Sequence, residues 1–111
     1  MTELENEIRS IEPADIEKNK VLAGVAYILF FLPLLASPDS QYGKFHANQG
    51  LLLLIFSFGG SLILSLIPIV GWILLPFFSI VVLVFAVIGI LNGLGGKVKE
   101  LPLIGKLRLI K

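Results

Sequence analysis

Ile67-Pro68-Ile69-Val70-Gly71-Trp72 stands in the middle of a run of fifty residues, Ala47 to Gly96, that contains no charged side chain. Lys44 and His46 precede the run and Lys97 ends it. Pro68 and Gly71 are turn residues set between two apolar segments. Uncharged apolar segments of eighteen or more residues belong in a bilayer. The stretch therefore predicts a membrane hairpin: one helix in, a tight turn marked by Trp72 at the far interface, one helix out. The helices should cover about 47–67 and 73–92. The first would be roughly 31 Å long, matching a hydrocarbon core of about 30 Å. Pro76 should fall in the first turn of the second, where its missing N–H matters least.

Composition agrees. Of 111 residues, 56% are hydrophobic and only 15% charged, against about 25% charged in soluble domains. A water-soluble fold of this size has too little interior for two helices that are apolar all round. There is no cysteine, which removes disulfides, thiolate metal sites and a cysteine nucleophile. The net charge of +1 hides an asymmetry: residues 1–20 hold six acids and three bases, whereas 97–111 hold five bases and one acid.

Upstream of the run, residues 1–18 form a polar acidic tail with Leu4, Ile8 and Ile11 weakly periodic. Pro13 and Asp15 read as a helix start, since proline fits the first turn and an acid suits the positive end of the dipole. A first membrane helix should then occupy about 19–36. Its apolar part, Val21–Ala36, is only about 24 Å long as a helix, and Pro33 inside it predicts a kink or a break. The acidic leader and Pro38 argue against a cleaved signal peptide. The connector 37–49 follows. Ser37 or Ser40 could cap the next helix, and Tyr42 suits the interface with its ring in and its hydroxyl out. The tail 97–111 alternates bases and apolar residues. It should lie on the membrane surface, with Lys97, Lys99, Lys106, Arg108 and Lys111 toward lipid headgroups.

Two small-residue stripes suit close helix packing: Ser57, Gly60, Ser61 and Ser65 on one hairpin helix, Ala86, Gly89 and Gly93 on the other. Antiparallel pairing sets residues whose numbers sum to about 139 at equal depth, so Gly50 meets Gly89 and Gly60 meets Ser79. The same pairing brings Asn92 beside Ala47, close to His46, Asn48 and Gln49. These four polar residues form a cluster at the membrane boundary. It is either a small polar mouth for a partner or ligand, or a set of side chains that hydrogen-bond one another and fix the helix ends.

One histidine without a second falls short of a metal site, which needs three or four ligands. No ionisable residue lies within the spans, so a proton-coupled transporter is not indicated. No phosphate loop, carboxylate pair or nucleophile–base pair is visible. The tail lacks the interleaved aromatics of a nucleic-acid binder. The expected partners are the lipid bilayer and other membrane proteins or further copies of the chain, with no nucleic acid and no cofactor.

The positive-inside rule places loop 37–49 and the C-terminus in the cytoplasm of a multi-pass protein, with a bacterial plasma membrane the expected location. The first segment leaves two topologies. If it spans, the N-terminus is outside and Lys18 and Lys20 break the rule. If Pro33 turns it back as a re-entrant segment, both termini are inside. The balance favours three membrane helices, because non-helical backbone at depth needs protein cover.

Three elements resemble the bacterial relatives of a chloroplast protein-import component family, named for a twenty-kilodalton subunit of the inner-envelope translocon. They are Ala26-Tyr27-Ile28-Leu29-Phe30-Phe31-Leu32-Pro33-Leu34-Leu35, then Lys44-Phe45-His46-Ala47-Asn48-Gln49-Gly50-Leu51, then Gly89-Ile90-Leu91-Asn92-Gly93 with Lys99-Glu100-Leu101-Pro102-Leu103-Ile104-Gly105-Lys106. The resemblance implies a small integral membrane protein without catalytic residues. It has three apolar segments where the plant form has four.

The sequence thus predicts an all-α integral membrane protein. It has a polar tail over 1–18, a single membrane domain over 19–111, three membrane helices (the first short, Pro-kinked, spanning or re-entrant) and an interfacial C-terminal tail. Its expected role is that of a non-enzymatic subunit or scaffold in a membrane assembly. The alternatives are a translocation path lined by Ser57, Ser61 and Ser65, and a stress or bacteriocin-defence protein.

Overall fold

Pro13 and Asp15 open the first helix, α1 (Pro13–Val25). The structure, a computed structural model, describes residues 11–102, 104 and 105. Three further helices follow: α2 (Leu32–Ala36), α3 (Gln41–Ser65) and α4 (Val70–Leu94). The expectations for Leu4 and Ile8, and for Lys106, Arg108 and Lys111, lie outside the described residues.

The first apolar run is two pieces rather than one helix over 19–36. α1 is distorted at Asn19 (φ −117°, ψ 18°), whose amide donates back to the Asp15 carbonyl at 3.2 Å and to its Oδ1 at 2.8 Å. A side chain that bonds to the i−4 position loosens the helix there. Residues 26–31 then leave the helix through turns, including Ile28 N–H to Val25 O at 2.9 Å and Leu32 N–H to Leu29 O at 3.1 Å. Pro33 follows in the first turn of α2. It has no N–H, and its ring would collide with the carbonyl four residues back in an unbroken helix. Neither piece has the length of a span. Among the described residues two helices are long and apolar enough to cross a membrane, α3 with mean hydropathy 1.6 and α4 with 3.0. Each has 25 residues, about 37 Å at 1.5 Å per residue.

α3 begins six residues before the expected Ala47. Ser40 caps it, accepting the Gly43 N–H at 2.9 Å. α3 and α4 run antiparallel, joined at 66–69 by a strained reversal. Ile69 has φ 63° and ψ −68°, and Val70 N–H donates to Pro68 O at 2.7 Å. That is a γ-turn of the rare, strained kind. α4 starts at Val70, so Pro76 lies in its second turn rather than its first. Its other end is closed by a Schellman motif: Gly96 takes φ 75°, Gly96 N–H donates to Gly93 O at 3.4 Å and Lys97 N–H to Asn92 O at 2.9 Å. Glycine is the residue that adopts this left-handed position without penalty.

Packing is concentrated at one end. Ile11, Ala23, Tyr42 and Phe45 form one buried cluster, and Tyr27, Leu53, Phe85 and Leu101 a second. From Leu54 to Val84 the only buried residue is Gly71. Phe56 bridges the helix pair there, with ring centroids 5.1 Å from Phe78 and 5.7 Å from Phe85. A Cβ on Gly60 would lie 2.2 Å from the Phe78 ring. Gly50 and Gly89 do not meet each other. Gly50 receives the Ala26 carbonyl and Gly89 the Tyr27 ring, at 2.0 and 2.1 Å from the position of a Cβ. Gly93 likewise faces the backbone of Ala23 and Gly24. Equal-depth pairing of two helices leaves no room for a third element, and the turn of the first segment fills that space.

Candidate helix-end site

Tyr42, His46 and Gln49 recur at the i, i+4, i+7 spacing that puts side chains on one helix face. All three are fully buried. The Tyr42 hydroxyl donates to Gly93 O at 2.8 Å and lies 3.1 Å from Asn92 O and 3.3 Å from Lys97 O. It adds a second donor at the carbonyl end of α4, where Gly93 O already accepts from Gly96 N–H. The expectation of a hydroxyl directed outward is therefore corrected: the carbonyl end of α4 draws it inward.

His46 Nε2 lies 2.8 Å from Lys97 O. A carbonyl only accepts, so Nε2 carries the proton, and Nδ1 accepts from the Tyr27 hydroxyl at 2.6 Å. Edge-on contacts to Tyr27, Tyr42 and Phe45, at 5.5, 4.7 and 5.1 Å between centroids, enclose the ring. Gln49 holds the C-terminal segment from both sides. Its Nε2 donates to Gly105 O and its Oε1 accepts from Leu101 N, each at 2.8 Å. Leu101 is 2% exposed, and a Cβ on Gly105 would sit 2.6 Å from Gln49 Oε1.

His46, Asn48, Gln49 and Asn92 are all buried at this end. The bonds of His46 and Gln49 go to the backbone of Lys97, Leu101 and Gly105 and to Tyr27 rather than to each other, because non-helical backbone after α4 supplies donors and acceptors that must be matched. The C-terminal segment is thus not simply laid on a surface: Leu101 and Gly105 are buried, while Lys97 and Lys99 are exposed. Of the packing stripe, Gly60, Ala86, Gly89 and Gly93 touch neighbouring elements. Ser57 and Ser61 are half-buried. Ser65 is exposed and donates to Leu62 O in its own helix at 2.8 Å.

A second junction was not singled out in the sequence. The Asp15 carboxylate accepts from Ser40 Oγ, from Asn19 and, at 3.0 Å, from Tyr42 N–H. Burial raises its pKa, but the hydrogen bonds from Ser40, Tyr42, Asn19 and Gln41 outweigh that and hold it below its ordinary value. Asp15 thus serves the N-terminus of α3, not only that of its own helix. An open cleft of about 430 Å³ lies alongside, lined by Glu12, Lys18, Asn19, Asp39 and Gln41 among others. Asp15 signalled the start of its own helix but not its bond to Ser40, and neither Tyr27 nor Gly105 signalled its partner. Tyr42 did: it sums with Lys97 to 139. Among the described residues no three His, Cys, Asp or Glu side chains gather as a metal site would require. The arrangement fastens four chain segments together at one end of the hairpin.

Residues 18–110 match the model of the magnetosome magnetite crystal formation protein family. The chain is similar to magnetosome protein MamF of Paramagnetospirillum magneticum, with 40% identity over 90 residues that cover 79% of this chain and 80% of that protein. It is 39% identical over 89 residues to MamF of Magnetospirillum gryphiswaldense (78% and 79% covered). It is 34% identical over 90 residues to magnetosome protein MmsF of P. magneticum (78% and 82% covered). No solved structure matches. These matches overturn the resemblance to the chloroplast import component. Short elements such as Lys44–Leu51, set among apolar runs, weigh less than a match that runs through 18–110 as a whole.

Proposed function

The chain belongs to the magnetosome magnetite crystal formation protein family, and on that premise we propose that it is a non-enzymatic integral subunit of a magnetosome membrane assembly. The observation that carries the reading is the outer surface of the helix pair. Phe58, Leu66, Phe77 and Leu83 are each more than half exposed in a stretch without one charge. Such a surface needs lipid or protein around it. His46 and Gln49, which could have carried chemistry, are engaged in holding Tyr27 and the backbone of Lys97, Leu101 and Gly105. His46 has both ring nitrogens bonded and Gln49 both ends of its amide. The translocation path and the bacteriocin-defence role have no support from the family or its relatives, whereas the assembly role expected from the sequence is compatible with both.

In this reading α3 and α4 cross the bilayer and the first segment re-enters. Asp15 and Ser40 are hydrogen-bonded, so the chain between them leaves and returns at one end. That topology puts Lys18, Lys20, Lys44, Lys97 and Lys99 on one side, as the positive-inside rule asks. Lys97 and Lys99 face lipid headgroups there, and the first segment's irregular backbone is covered by α3 and α4. The reversal at 66–69 sits at the opposite end and has no ionisable side chain. The protein therefore contributes to crystal formation through the membrane and its neighbours rather than by a charged surface at that end.

The test is isolation of the tagged protein, in mild detergent, from a magnetosome-forming cell. It should fractionate with the magnetosome membrane and bring other magnetosome membrane proteins with it. A protein found in the soluble fraction, or a lone monomer in the membrane fraction, would refute the reading.

A further inference from the structure

We infer that the protein is a bilayer wedge, occupying more area in the leaflet that holds its two ends than in the opposite leaflet, and so favouring membrane that bulges toward that side. The inference rests on the hairpin reading above and adds an activity to it: selection of a curved lipid surface.

The asymmetry is in the packing. Between Tyr42 and Leu53 on α3, and between Phe85 and Gly93 on α4, the pair is joined by α1, the turn 26–31, α2 and the segment after Lys97. Tyr27 lies against Gly89, the Ala26 carbonyl against Gly50, Pro33 against Gly43, and Leu101 among Tyr27, Leu53 and Phe85. Beyond Leu53 the helix pair continues alone, over residues 54–65 of α3 and 70–84 of α4. Ala47, the first residue of the uncharged run, to Ser65 is roughly 28 Å of helix, whereas Ala47 to Leu53 is only about 10 Å. The inserted turn therefore stops within the first leaflet of a core about 30 Å thick.

The turn's own surface indicates what surrounds it. Ile28 and Leu35 are each 73% exposed, with Leu29 and Phe31 exposed beside them. Both approaches to it are polar, with Lys18 and Lys20 before and Ser37 and Asp39 after. An apolar tip between polar ends is the pattern of a segment dipped into hydrocarbon from one face. Its inward and outward passes, each about 10 Å wide, add roughly 150 Å² to that leaflet alone. A bilayer relieves such a mismatch by curving toward the crowded leaflet.

The experiment uses the purified full chain in vesicles of phosphatidylethanolamine and phosphatidylglycerol prepared over a range of diameters. Detergent-assisted insertion into preformed vesicles is followed by selection, through an N-terminal tag, of those with termini outward. Protein per lipid should be several-fold higher in the smallest vesicles than in the largest. Equal density at all diameters, or enrichment in the largest, overturns the wedge. Gly50→Leu places a side chain where the Ala26 carbonyl sits and should displace the turn while α3 and α4 stay inserted, abolishing the preference. A variant that floats with the vesicles and keeps the full preference also overturns it. Because the chain has no cysteine, the topology is read independently by single cysteines added at each end: labelling of the two ends from opposite faces would sink the inference. Failure to float with lipid at all would instead refute the membrane reading beneath it. No magnetosome partner is present, so loss of curvature preference leaves the assembly reading standing.

Discussion

The hydroxyl of Tyr42 donates to the carbonyl of Gly93 at 2.8 Å, so the first turn of α3 closes the last turn of α4. The two residues are 51 apart in the chain. Around this bond the protein gathers its other long-range polar contacts: Asp15 to Tyr42 N–H, His46 to Lys97 O, and Gln49 to Leu101 and Gly105. Apolar surface holds the helices in lipid, but it does little to choose which helix packs on which, because lipid tails are as apolar as leucine. Polar pairing and close approach of small residues make that choice here.

Tyr42→Phe keeps the ring and removes the donor. Gly93 O keeps its bond from Gly96 N–H, so the loss is that of one hydrogen bond, about 0.5–1.5 kcal/mol. The variant should unfold at lower temperature in detergent, and hydrogen exchange should rise first in the last turn of α4. Wild-type stability would show that the bond contributes nothing.

Gln49→Leu leaves Leu101 N–H and Gly105 O without the amide that holds them, at about 1–3 kcal/mol for each group. Leu101 and Gly105 should detach while Lys97, still bonded to His46, and the helix pair stay in place. A cysteine placed at Leu101, the only one in the chain, should react with maleimide faster in the Gln49→Leu background. Equal rates would mean that Leu101 burial alone holds the segment.

Gly93→Ala sets a methyl 2.5 Å from Gly24 N and 2.6 Å from Ala23 C. Both are backbone atoms, so no side chain can swing away, and such overpacking costs about 1–3 kcal/mol. Protease cleavage within α1 should become faster. Gly59→Ala is the control, because a Cβ there meets nothing within 4 Å, and it should leave cleavage unchanged.

Asp15 gives a pH dependence with a definite sign. Its folded pKa lies below the ordinary 3.8, so its contribution is complete above that value and is lost as pH falls through the folded pKa. Protection from hydrogen exchange at the start of α3, taken relative to the intrinsic exchange rate at each pH between about 5 and 2, should fall at the acid end. Asp15→Asn should be weaker throughout and show less of that acid-side change. An unchanged acid profile in the variant would assign the effect to other carboxyls.

Residue order alone is enough to show that the chain is helical and that two of its helices are long and apolar enough for a bilayer. Those properties follow from composition and from runs such as Leu51–Ile67, where each residue reports its own preference for lipid over water. It also pointed to His46, Asn48, Gln49 and Asn92 as polar residues near one end of the helix pair, and all four are buried. What His46 and Gln49 hold is visible only in the folded chain. Pro33 announced an interruption, but the return of the first segment depends on Asp15 meeting Ser40 across 25 residues. The partners of Tyr42, His46 and Gln49 are chiefly carbonyls and an amide of Gly93, Lys97, Leu101 and Gly105. Backbone groups are the same in every residue, so no letter of the sequence marks which of them a buried side chain will reach. Folding selects them by leaving those groups without water and within hydrogen-bonding distance of one helix face.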